Sequence, residues 1–292
     1  MSPQRSLLGA SFLLALACGG HSAAPSTTPT PVATPSGPPA RPAAPATIRY
    51  GPSALRYLIR REVSATQTFQ GQTSASRLGF RLFVHATIRG PADSGGYPTT
   101  ITVDSIIPDS GNALPVTLNL AAARGLSYSG VLSPHGEFKN PTPSDTTIAR
   151  GLAQVLANFR EFYPSIPGGG LALNAAWTDT TSRTDRAGIF DRVTVTAIST
   201  SRASAIEERA GAHAVRVEVS AILAITGAGN QGGQALDLAG RGTRHGLEYV
   251  AVDGRYLGGE SVDSTDLEIA VPAQGQVVQI RQVARSIVQV LP

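Results

Sequence analysis

Leu78-Gly79-Phe80-Arg81-Leu82-Phe83-Val84-His85-Ala86-Thr87-Ile88 decides the fold. Leu78, Phe80, Leu82, Val84, Ala86 and Ile88 fall on one face, with Arg81, His85 and Thr87 opposite. Side chains of an extended chain alternate between two faces, so this run reads as a strand with one buried and one solvated side. Val215, Val217, Val219, Ala221, Leu223 and Ile225 repeat the pattern against Arg216, Glu218 and Ser220. The same reading predicts strands over 55–63, 99–107, 126–132, 193–198, 247–252, 267–271 and 277–290. Asp253-Gly254 marks a hairpin between two of these runs, and residues 273–276 close another. Consecutive hairpins make the sheet antiparallel, with one face toward solvent.

One segment departs from period two. Between Ser144 and Tyr163, the residues Ile148, Leu152, Val155, Leu156, Phe159 and Phe162 share one helical stripe. Ser144 or Asp145 can cap it and Pro164 forbids its continuation, which predicts a long amphipathic helix over 145–163. A shorter helix is expected over 115–124, ended by Gly125. The long helix either covers a sheet face or joins two related halves, about 48–140 and 170–292. Gly125-Leu126-Ser127-Tyr128 and Gly246-Leu247-Glu248-Tyr249 are the weak repeat that suggests such halves.

The amino terminus has a different character. Arg5 precedes an apolar run, Leu7 to Ala17, that ends at Cys18-Gly19-Gly20, and Cys18 is the sole cysteine of the 292 residues. A charged start, a short apolar stretch and small residues at the cut are the parts of an export signal, and the run is too short to span a bilayer. Residues 5–20 resemble the lipobox of bacterial lipoproteins. That resemblance implies cleavage between Ala17 and Cys18, a diacylglycerol on the Cys18 thiol, and, with Gly19 next, anchorage to the outer membrane facing the periplasm. Ala15 and Ala17 equally fit the A-x-A site of a secreted soluble protein. Residues 18–47 are rich in Pro, Ala, Ser and Thr, too poor in apolar surface to fold, and read as a semi-rigid stalk. The chain thus divides into a signal over 1–17, a tether over 18–47 and a β-rich domain over 48–292.

Composition excludes several functions. The net charge is +4, but Lys139 is the only lysine and the arginines are scattered, without the basic face and stacking aromatics of a nucleic-acid binder. Gly227-Ala228-Gly229-Asn230-Gln231-Gly232 fits G-x-G-x-x-G, yet no helix can follow it, so it reads as a glycine-rich loop between strands and not a dinucleotide site. The five histidines never stand at metal-ligand spacing, and no nucleophile elbow is present. No cofactor and no metal are therefore expected. Trp177, the one tryptophan, reads as a core anchor.

Strands, one long helix and a lipidated stalk together resemble the half-barrel lipoproteins of the bacterial envelope, whose curved sheet and helices hold an acyl chain or lipid. The fold class expected is mainly β, an antiparallel sheet or half-barrel with one long amphipathic helix mid-chain. The resemblance implies a non-enzymatic carrier of an apolar ligand, in a cavity lined by Leu152, Val155, Leu156 and Phe159. A structural or protein-interaction module on a stalk, binding another envelope protein, is the second reading, and an envelope hydrolase the third.

Overall fold

The computed structural model describes residues 47–90, 95–110, 119–153, 155–156 and 159–292. Ala17, Cys18 and the stretch expected to form a tether, up to residue 46, lie outside the described residues. Eleven strands form one antiparallel sheet: β1 (Ser53–Phe69), β2 (Gln72–Ile88), β3 (Tyr97–Pro108), β4 (Ser127–Leu132), β5 (Phe138–Pro143), β6 (Ala176–Ala187), β7 (Phe190–Arg209), β8 (Ala212–Gln231), β9 (Gln234–Ala251), β10 (Tyr256–Val271) and β11 (Gln276–Leu291). Their order is β5-β4-β3-β2-β1-β11-β10-β9-β8-β7-β6, so the first and last strands pair at the centre. The chain crosses from one edge to the other over residues 144–175.

The expected strands are all present, and most are longer than their apolar cores. β8 runs on through Gly227 and Gly229, so the glycine-rich stretch is strand and not loop. A Cβ at Gly229 would strike the backbone of Ile189 and Phe190, which explains that glycine by close packing. The reversal occurs in two residues, Gly232 and Gly233, both at positive φ as the tight hairpin turn demands.

The long helix is not formed. Thr146–Gly151 is helical (α1), capped by the Asp145 carboxylate, which accepts from the amides of Thr147 and Ile148 at 2.8 and 2.9 Å. Phe159–Glu161 makes one 3-10 turn. Gly151, paired threonines and three aromatic residues are weak helix formers, and the stripe's apolar residues obtain their burial by lying against the sheet. Of the shorter helix, only a 3-10 turn at Leu120–Ala123 lies within the described residues, followed by Gly125 at φ +82°.

Core contacts show how the sheet is bent. Val84 on β2, Ile101 on β3, Ala203 on β7 and Val217 on β8 share one apolar cluster with Leu152, Phe159 and Phe162 of the crossover. In a flat sheet β2 and β8 would stand about 24 Å apart, five spacings of roughly 4.8 Å. The sheet therefore wraps around the crossover. On β9, Gly240, Gly242 and Gly246 leave room for Leu267, Thr265 and Ser261 of β10 to lie across the strand. A second apolar cluster, built from Val195, Leu223, Leu238, Leu267 and Ile280 among others, fills the far end of the same face.

Both edges resist further pairing. β5 carries Pro141 and Pro143, which lack ladder donors, and β6 is dense in Thr, Asp and Arg. The crossover is pinned along its length: Leu171 and Ile48 exchange backbone hydrogen bonds of 2.8 and 2.9 Å, the Tyr50 hydroxyl donates to the Pro164 carbonyl at 2.8 Å, and Ile166 N donates to the His135 carbonyl at 3.0 Å. A bulge opens β10 between Tyr256 and Gly259, where Gly258 sits at φ +91° and a Cβ on it would strike the Val288 carbonyl. Gly258→Ala adds both left-handed strain and a backbone clash, and thermal melts should register a loss of about 2 kcal/mol or more. A melt unchanged from wild type would contradict this packing.

Candidate functional site

A cavity of about 570 Å³ lies on the inner face between the two sheet edges, beneath the second part of the crossover. Alternate residues of β6 supply one wall, Trp177, Thr181 and Arg183, because even spacing keeps them on the face shared with the core. Small residues of β7 and β8, Ser199, Ser201 and Ala221, form the back. Arg244 and Glu248 rise from β9, and Glu161 and Tyr163 descend from the crossover. A smaller chamber of about 140 Å³ adjoins it and shares Glu161, Arg244, Glu248 and Ser261.

The charges follow from strand register. Arg244 faces Asp263 across the β9–β10 ladder and donates to it twice, Nε to Oδ1 at 2.6 Å and a terminal nitrogen to Oδ2 at 2.8 Å. Arg183 of β6 bonds Glu161 of the crossover and its own strand neighbour Asp185, both at 2.8 Å. Such forked pairs fix geometry as well as charge. Glu248 is held differently. Its Oε2 accepts from the Tyr256 hydroxyl at 2.6 Å, and that oxygen occupies the space a Cβ on Gly259 would take. The Tyr57 hydroxyl in turn donates to the Tyr256 carbonyl at 2.9 Å.

Burial governs the titration of both glutamates. It pushes Glu248 up to about 7, against the downward pull of the Tyr256 hydrogen bond and of Arg244. Glu161 is also pushed up to about 7 by burial, with Arg183 and Arg244 pulling it down. Burial likewise raises the phenols of Tyr256 and Tyr163, which stay protonated donors. Tyr163 is 4 % exposed, lines the cavity, and its hydroxyl has no hydrogen-bond partner among the described residues.

No family model and no curated protein matches the chain.

The residues expected to line an apolar cavity lie elsewhere. Leu152, Val155, Leu156 and Phe159 are between 1 and 5 % exposed and belong to the packed core under the crossover. None of them borders the 570 Å³ cavity. Within that cluster they share the core with residues of β2, β3 and β8. Trp177 is part core and part wall, for it packs on that cluster while facing the cavity. No histidine lines the cavity: His85 pairs with Asp104 at 2.8 Å, His245 with Ser220 at 3.3 Å, and both pairs are solvent-exposed or nearly so. Among the described residues no cluster of His, Cys, Asp or Glu could hold a metal ion, and no helix is long and apolar enough to cross a membrane.

Arg244, Glu248, Glu161 and Arg183 escaped the sequence reading, although a signal exists for the β9 pair. Leu236, Leu238 and Val250 are core residues, and Arg244 and Glu248 stand at the same parity in the same strand. Charges in phase with core positions are the mark of a polar inner site.

Proposed function

We propose that the chain is an exported, non-enzymatic binding protein: a half-barrel held at the cell envelope through a lipidated Cys18, enclosing a small amphipathic ligand. The observation that carries this reading is the 570 Å³ cavity, which falls in the range of small-molecule sites and joins apolar walls to a few convergent polar groups. Trp177, Phe138 and Leu223 offer apolar contact, while Glu248, Arg244 and the unpartnered Tyr163 hydroxyl offer directed polar contact. A wholly apolar lipid tail would leave the buried Tyr163 hydroxyl unsatisfied and place apolar surface against the charged Glu248 and Arg244, which is costly. A ligand with both characters satisfies them. The anchor is supported by the export-signal pattern of residues 5–20 and the single cysteine at its end. Two acyl chains on that residue would give durable attachment where one would not.

Native mass spectrometry of the full chain, extracted from its own membranes, tests both halves. The expected species begins at Cys18, carries a diacylglycerol and retains a further non-covalent small amphiphile. A mature chain without added lipid would overturn the anchor. A lipidated chain that binds no amphiphile under any gentle extraction would overturn the carrier and favour the interaction module.

A further inference from the structure

The ligand's polar end can be specified from how the cavity's charges are matched. Arg244 is locked in a two-point pair with Asp263, and Arg183 is shared by Glu161 and Asp185. Both arginines thus face at least one carboxylate each. Glu248 has no such counterpart: its only hydrogen-bond partner among the described residues is the neutral Tyr256 hydroxyl, on one oxygen. Arg244 influences it at longer range but spends its fork on Asp263. Tyr163 borders the same cavity; its ring lies 6.1 Å from that of Tyr256 and its buried hydroxyl has no hydrogen-bond partner among the described residues. Gly259 makes room for the carboxylate, whose Oε2 fills the space a Cβ there would take, and Gly246 makes room for Ser261 of β10. A carboxylate and a hydroxyl oxygen, both acceptors, on one cavity whose two strand arginines are already paired with other carboxylates, fit a group with several N–H donors and a positive charge.

We propose that the cavity selects amphiphiles bearing a protonated primary amine, received by the Glu248 carboxylate and the Tyr163 hydroxyl. This rests on the cavity being a ligand site. An anionic head would instead meet Glu248 with the arginines' charge already matched, and an alcohol would gain hydrogen bonds but no charge partner.

Three probes with one chain and three heads test it: octylamine, octanol and octanoate, titrated into the full chain at neutral pH. Trp177, the sole tryptophan and a cavity wall residue, reports occupancy by its fluorescence. Octylamine should bind about tenfold or more tighter than octanol, as a charge-assisted hydrogen bond in a buried site allows, and octanoate weakest. In Glu248→Gln, octylamine should lose its tenfold advantage over octanol. Circular dichroism confirms that the variant is folded. Equal binding of octylamine and octanol to wild type, or tightest binding of octanoate, would overturn the amine proposal and leave the cavity as a ligand site. No saturable binding of any of the three would overturn the ligand site itself.

Discussion

Glu248→Gln should raise the thermal midpoint by roughly 5–10 °C at about pH 8 and leave it nearly unchanged at about pH 4. The carboxyl moves from its ordinary value of 4.5 up to about 7 on folding because burial disfavours its charge. Between those two values the folded state binds more protons than the unfolded state, so stability falls as pH rises through this window and is level above and below it. A displacement of that size amounts to about 3 kcal/mol of lost stability once the group is ionised. Glutamine keeps the shape and can still accept from Tyr256, but carries no charge, so it escapes the loss. For a domain of this size each kcal/mol shifts the midpoint by about 2–4 °C. Scanning calorimetry across that pH range gives the test. A slope toward lower stability should persist in the variant, because Glu161 is displaced in the same direction by the same cause. A variant less stable than wild type at pH 8 would show that Glu248 is held as a well-compensated anion, contrary to the charge matching described.

Phe162→Ala should cost about 3–5 kcal/mol, the range for removing a fully packed aromatic ring. Phe162 touches Tyr57 and Tyr163 edge-on with ring centres 5.0 Å apart, and meets Tyr256 at 5.6 Å and Phe159 at 6.3 Å. It joins the crossover to β1 and β10 at once, so its loss leaves a void at the point where the sheet closes on that segment. Urea unfolding measures the change, and a loss under about 1 kcal/mol would mean that the crossover does not depend on this aromatic cluster. Trp177 fluorescence should shift in the folded variant as well, since both residues pack on the same core.

The sheet was legible because burial writes itself into a strand at period two. Val215 through Ile225 and Leu78 through Ile88 name their own inner face, and every hairpin expected from Asp253-Gly254 and residues 273–276 is present. The crossover was not legible for the converse reason. Its apolar residues recur at helical spacing, yet the sheet supplies burial from more than one side, so periodicity no longer reports secondary structure. The strand order also escaped, since pairing of β1 with β11 joins residues more than 200 positions apart and leaves no local trace. At the site, scattered charged residues on β9, β6 and the crossover acquire meaning only after register places Arg244 opposite Asp263 and the crossover sets Glu161 on Arg183.

The bridge between Ile48 and Leu171 gives the domain a direction of mechanical loading. Tension entering at Thr47 meets the two backbone hydrogen bonds to Leu171 first, then the Tyr50 contacts to Pro134 and Pro164, before it reaches any strand of the sheet. Leu171 and Pro164 belong to the segment that roofs the cavity. A pull on the amino-terminal segment is therefore delivered to the roof of the cavity and not to its floor, so the cavity is the first part of the fold to feel that segment move.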